Sequence, residues 1–174
     1  IVTSGTEALT AMRRLVGTMR GTAGGDAAAA EQSTMDLNAD LSAIVGRTNR
    51  MMAEHGGPRV ELRVDLERQP PLEVARSALR VVQEALTNSE KHAMDASRIL
   101  VYVTTTAEEH LYVRITDDGS ATRAQPVGGS GGYGLVGMRE RIELLGGRFK
   151  AGPGEHVGWC VQAWLPLDEQ EEQA

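Results

Sequence analysis

Three groups of residues in this 174-residue chain have the types and spacing to do chemistry. Glu84, Asn88 and Lys91 recur about one helical turn apart, with Thr87 and His92 beside them, so on a helix they share one face. A carboxylate and a carboxamide at that spacing offer oxygen ligands to a hard cation such as Mg2+. The lysine adds a point charge for phosphate oxygens. The second group is Thr116-Asp117-Asp118-Gly119. An aspartate leaving a strand into a glycine turn can accept a hydrogen bond from an exocyclic amine, while the glycine permits close ligand approach. The third is the glycine-rich run Gly128–Gly134, which opens a helix and so exposes backbone N–H groups suited to phosphate. Alone, the first two have ordinary explanations: a solvated helix face with Glu–Lys pairing, and an Asp-Gly turn. Gly132, Gly134 and Gly137 formally match G-x-G-x-x-G, but no strand immediately precedes them and no strand-end acid follows at about 20 residues. No Lys-Ser or Lys-Thr pair follows either, so hydride transfer and a P-loop are both poor fits.

These groups need elements to position them. The long helix starts at Pro70-Pro71 and carries Ala75, Ala78, Leu79, Val82 and Leu86 as its buried stripe, with the Glu84/Asn88/Lys91 face opposite. Before it, Asn38 or Asp40 is expected to cap a helix with Leu41, Ile44, Val45, Thr48, Met51 and Met52, ended by Gly56-Gly57-Pro58. Val60, Leu62, Val64 and Leu66 alternate with charged residues, as in a strand. Two more alternating strands cover 98–105 and 111–116, and a helix with Leu135, Met138, Ile142 and Leu145 inward stops at Gly146-Gly147. Strands near 148–151 and 157–165 close the chain. In the last, Trp159, Val161, Ala163 and Leu165 share a face, while Cys160, Gln162 and Trp164 take the other. The pattern predicts an α+β, two-layer sandwich with helices on one face of a mixed, mostly antiparallel sheet.

Residues 1–20 hold a short amphipathic helix, Glu7–Arg20, on Leu9, Met12, Val16 and Met19. Residues 21–33 read as a linker of small residues and glycines, 34–167 as the compact domain, and 168–174 as an acidic tail. Hydrophobic residues make up 41% and charged residues 24%, enough for a packed core and too much for a wholly disordered chain. Lys+Arg 18 against Asp+Glu 24 gives a net charge of -6, and aromatics are only 3%, which together argue against nucleic acid as a partner. Cys160 is the single cysteine, so neither an internal disulfide nor a cysteine metal cluster is available. No apolar run reaches the ~20 residues of a membrane span, so no membrane contact is expected of this segment and a cytoplasmic setting is.

The order of the groups says more than any one of them. Gln83-Glu-Ala-Leu-Thr-Asn88-Ser-Glu-Lys91-His-Ala93, then Asp117-Asp-Gly119, then Gly132-Tyr-Gly-Leu-Val-Gly-Met-Arg-Glu-Arg141 with Leu145-Gly-Gly147, resemble the N, D and G2 boxes of two-component sensor histidine kinases. The likeness is to the nitrate-sensor-type subfamily within the GHKL ATPase superfamily, and the closing Trp164-Leu-Pro-Leu167 fits it.

The resemblance implies a Bergerat-type ATP-binding fold, with ATP between two helices and under a lid that is mobile without nucleotide. It implies that Asn88 holds Mg2+, with Glu84 beside it as a polariser, a general base or a further ligand. Lys91 and His92 would touch phosphates, and Asp117 would take the adenine amine. Gly119 would admit the base, while Gly132, Tyr133, Gly134, Leu135 and Gly137 would shape the lid and its phosphate contacts. The activity implied is transfer of the ATP γ-phosphoryl group to a histidine on a dimerisation domain, for relay to a response regulator with a LuxR-type helix-turn-helix; the full-length kinase can be membrane-anchored. Arg139 and Arg141 match the motif but read as surface or interface charges.

Four histidines, His55, His92, His110 and His156, are present, and none has the Leu-His-Asp context of the family's acceptor helix. The Glu7–Arg20 helix resembles the second half of the dimerisation hairpin, so the phosphoacceptor is expected to be absent from this chain. Two departures fall in the implied adenine pocket. Ala121 replaces the second glycine of the D box, and Gly158-Trp159 stands where Gly-Thr often opens the last strand. An indole at 159 can stack on the base, narrow the pocket, or turn away. Competing expectations are an anti-sigma-factor serine kinase and a degenerate, non-catalytic interaction module of the same fold.

Overall fold

A computed structural model describes residues 35–120 and 132–168. Contacts divide the chain between Thr34 and Met35. The expected helix Glu7–Arg20, the linker, Ala121, Gly128, Gly129, Gly131 and all but the first residue of the acidic tail lie outside the described residues.

The described unit runs α1 (Leu37–Glu54), β1 (Arg59–Asp65), α2 (Leu72–His92), β2 (Arg98–Thr105), β3 (His110–Asp117), α3 (Gly132–Leu144), β4 (Arg148–Pro153) and β5 (Trp159–Pro166). The five strands form one sheet in the order β1-β2-β3-β5-β4. Only β1 and β2 pair in parallel, and α2 makes the crossover that a parallel pair requires. Helices α1, α2 and α3 cover one face, giving the two-layer α+β arrangement expected from the periodicities.

α1 begins earlier than its polar residues suggest. Asp36, not Asn38 or Asp40, is the N-cap, its carboxylate accepting the Ala39 N–H at 3.1 Å. The shift follows from Leu37, which is fully buried and must already be helical, its N–H donating to Gln69 Oε1 at 3.1 Å. Asp40 falls in the first turn instead, where a carboxylate complements the helix dipole. Near the helix's far end, Asn49 reaches edge strand β1 and makes two reciprocal bonds with Val60, at 2.8 and 2.9 Å, occupying backbone groups a neighbouring strand would otherwise take. α3 ends as expected. Gly146 takes φ 76°, and a Cβ at Gly147 would stand 2.3 Å from the Trp164 carbonyl oxygen.

The sheet's inner face supplies Ile99, Val101, Val103, Leu111, Val113, Ile115, Val161, Ala163 and Leu165 to the core, against Leu41, Val82, Leu86 and Ile142 of the helices. The alternation along β5 is as the period predicts, with Trp159 packed partly against the core and Trp164 on the outer face. There Tyr112 bridges Tyr102 at 6.4 Å and Trp164 at 5.3 Å, and Arg148 stacks over Trp164 at 4.9 Å.

Candidate functional site

α2 lies under the whole arrangement, packing against α1, α3, β3 and β5. It buries more of its circumference than the predicted stripe: Val74, Ser77, Val81, Ala85 and Ser89 join Ala75, Ala78, Val82 and Leu86, while Leu79 is only half-buried. Glu84 and Asn88 therefore stand at the border of the buried surface, both half-buried, rather than opposite it. Lys91, His92 and Thr87 are exposed. The Thr87 hydroxyl donates to the Gln83 carbonyl at 2.9 Å and the Ser89 hydroxyl to the Ala85 carbonyl at 3.0 Å, so both serve the helix itself. Lys91 and His92 fall in the last turn, where cations complement the dipole.

The border position matters because the first turn of α3 comes down on it. A Cβ on Gly134 would stand 1.9 Å from Glu84 Oε1 and 2.6 Å from Glu84 Cδ. With the Glu84 carboxyl in this position only a residue without a side chain fits beside it, so the first and third motifs meet there. Gly132 and Tyr133 open the helix, Leu135 is half-buried on the core, and Gly137 has open space where a Cβ would be. Packing of α3 against α2, not any local signal, brings 84 and 134 together.

Asp117 ends β3 and is 7% exposed. Its Oδ1 accepts the Gly119 N–H at 3.0 Å, turning the chain sharply out of the strand. A Cβ at Gly119 would lie 2.9 Å from Asp95 Oδ1 and 3.1 Å from Asp117 Oδ1, so this glycine is wedged between two carboxylates. From the other side Gly158, at φ 73°, sits so close that its Cβ would be 1.8 Å from the Asp117 carbonyl oxygen. Trp159 follows directly and is half-buried.

Three further contributors have structural roles that the sequence does not assign, although Asp118 and Gly158 stand in runs noted above. Gly158 holds the Asp117 backbone. Asp95 accepts the Ser120 N–H at 2.9 Å. Asp118 accepts N–H bonds from Ser97 at 2.8 Å and Arg98 at 3.0 Å, and the Ser97 hydroxyl. The Ser97 hydroxyl, helped by those backbone N–H groups and opposed by slight burial, holds the Asp118 carboxyl below its ordinary 3.8. The Asp-Asp-Gly run was a visible signal for Asp118; nothing near Gly158 announced a contact 41 residues away in sequence with Asp117.

The donors fit a magnesium nucleotide. Half-buried carboxylate and carboxamide oxygens one turn apart suit a hard cation that shares its remaining ligands with phosphate. Among the described residues no three His, Cys, Asp or Glu side chains cluster as a self-sufficient metal cage. A buried carboxylate beside two glycines at Asp117 suits a flat group presenting an N–H.

Residues 73–169 match the model of the histidine kinase-, DNA gyrase B- and HSP90-like ATPase family. The sensor histidine kinase YxjM of Bacillus subtilis (strain 168) is 39% identical over 97 residues, covering 56% of this chain and 22% of that protein. The nitrate/nitrite sensor protein NarQ of Escherichia coli (strain K12) is 42% identical over 94 residues, 54% of this chain and 16% of that protein. The chain thus spans less than a quarter of the length of these relatives. The histidine kinase domain of the Erythrobacter litoralis EL346 blue-light activated histidine kinase superposes with a TM-score of 0.55 at 23% identity, over 75% of this chain and 61% of that one, a likeness of fold.

Proposed function

The chain belongs to the family of histidine kinase-, DNA gyrase B- and HSP90-like ATPases, and from that premise we propose that it is the catalytic part of a sensor histidine kinase. The observation that carries this reading is the meeting of Glu84 with Gly134 beside Asn88, which gives one helix face both oxygen ligands and a glycine-lined approach. Asp117 accepts the adenine amine, and Gly119 with Gly158 and Trp159 bounds the base. Asn88, with Glu84 as a further ligand, would hold Mg2+, and the ion would supply charge neutralisation for the phosphates. Lys91 and His92 meet phosphate oxygens, and Gly132, Tyr133, Gly134, Leu135 and Gly137 border them.

In the reaction, an acceptor imidazole nitrogen attacks the γ-phosphorus in line, the bond to the β–γ bridging oxygen breaks, and ADP leaves. Glu84 acts on the imidazole as a polariser or as a general base, taking its proton in the second case. Such transfer is mostly positioning and charge neutralisation, which is what this face offers. The acceptor belongs to the dimerisation domain of the same kinase, and the phosphoryl group passes on to a response regulator of the LuxR-type helix-turn-helix class in the cytoplasm. The relatives' names support the kinase reading. Among the described residues no helix is long and apolar enough to cross a membrane.

Calorimetry with Mg–ATP tests the site. Asn88→Ala and Asn88→Asp are each expected to weaken binding at least about tenfold, or about 1.4 kcal/mol, with the unfolding midpoint little changed. Wild-type affinity in both variants would overturn the metal assignment.

A further inference from the structure

The outer face of the sheet, away from the helices, holds a cavity of about 570 Å³. Arg114 and Thr116 of β3, Lys150 of β4 and Gln162 of β5 line it, with Glu155 and His156 of the β4–β5 turn. Arg114 pairs across to Gln162 and Gln162 to Lys150, so two cations flank one carboxamide in a single row, their backbones about 10 Å apart across two strand spacings. Among the described residues neither cation has an ion-pair partner, and Arg114 Nε is buried with no hydrogen-bond partner. A guanidinium N–H withdrawn from water without an acceptor costs free energy that a bound acceptor would return.

Nothing else in the cavity supplies that acceptor. Glu155 is its one carboxylate and is exposed in the turn. Burial pushes the Cys160 thiol up, against the pull of Arg114 and Lys150, so it stays protonated and is no counter-anion. The local excess of positive charge opposes the net -6 of the chain. An arginine fork beside a lysine point charge is a recurrent arrangement for phosphate. The volume is that of a small-ligand pocket rather than a peptide groove.

We propose that this cavity, which reaches Trp159 at its edge but opens on the sheet face opposite Glu84 and Asn88, is an accessory anion site that takes a small phosphate-bearing molecule between Arg114 and Lys150. Pyrophosphate is the probe, with backbone amide shifts in heteronuclear NMR as readout. The Asn88→Ala variant is titrated beside the wild type, because phosphate also enters the nucleotide site. Saturable shifts at Thr116, Lys150 and Gln162 are expected in both proteins, with a Kd of about 1 mM or tighter. Arg114→Gln should weaken them at least about tenfold, and so should Lys150→Gln, which alters an exposed side chain on an edge strand and leaves folding intact. Shifts that stay linear, that appear only on α2 and α3, or that survive both substitutions would overturn the site. So would a stronger response to a glutamate-rich peptide than to pyrophosphate, since that would make the face a protein contact.

Discussion

Gly134 sits where a methyl group would collide with the far end of a flexible side chain, not with backbone. The consequence separates stability from function. Gly134→Ala within α3 gains up to about 1 kcal/mol of helix propensity, and the Glu84 carboxyl can swing away to make room. The expected outcome is a melting temperature unchanged or slightly raised, with Mg–ATP affinity at least about tenfold lower by calorimetry. Unchanged affinity would remove Glu84 from the site. Gly158 is the opposite case. Its neighbour is the Asp117 carbonyl, which is fixed in β3, and its φ of 73° already disfavours any side chain. Gly158→Ala should therefore cost about 2–4 kcal/mol, read from denaturant midpoints at constant slope. A loss under about 0.5 kcal/mol would show that Asp117 is not held from this side.

β2 and β3 are joined at the site end by one carboxylate, because Asp118 collects the N–H groups of Ser97 and Arg98 just where β2 begins. Its folded-state pKa is lowered, so the folded protein binds this proton less readily than the unfolded chain. The stabilisation is therefore fully present above the ordinary value of 3.8 and is lost as pH falls through the lower folded value. Asp118→Ala should cost about 1 kcal/mol near pH 7, discounted because the group faces solvent, and the difference from wild type should shrink in melts below that value. A difference that stays constant with pH would assign the effect to packing. Such ties explain which parts of the fold could be read from sequence. The alternation in β2, β3 and β5 and the apolar spacing of α2 and α3 state their own buried faces, because a period of two or of 3.6 leaves little choice. The motifs of Asn88 and Asp117 made both candidates, and the strand-end position of Asp117 is as its motif predicts. The N-cap at Asp36 was not legible, since the residue that decides it is Leu37 and its burial depends on Gln69 and the core. Nor was the border position of Glu84, which Val81, Ala85 and Ser89 set by being buried. Each miss is a contact between elements distant in the chain.

The histidines bear on how the chain would act in a kinase. All four lie among the described residues. His55 caps α1 with its Nδ1 2.9 Å from the Met51 carbonyl oxygen, and His110 has its Nδ1 2.7 Å from that of Glu108. His156 lies in the β4–β5 turn, and His92 is on the site helix itself, where it would touch phosphate rather than receive it. None is carried on a separate helix that could approach the γ-phosphorus from outside. The chain alone, given labelled ATP and Mg2+, is accordingly expected to take up no acid-labile phosphate, while a supplied dimerisation hairpin of the same family becomes labelled. That transfer should be slow. A linker holds a catalytic domain near its substrate at an effective concentration of about 1 mM, so micromolar mixing of separate parts should run roughly 1,000-fold slower. Label on His55, His110 or His156 would overturn the division of labour between the two parts. Label on neither partner, with Mg–ATP binding intact, would leave a nucleotide-binding module without kinase activity and would move the role of Glu84 from polariser or general base to ligand alone.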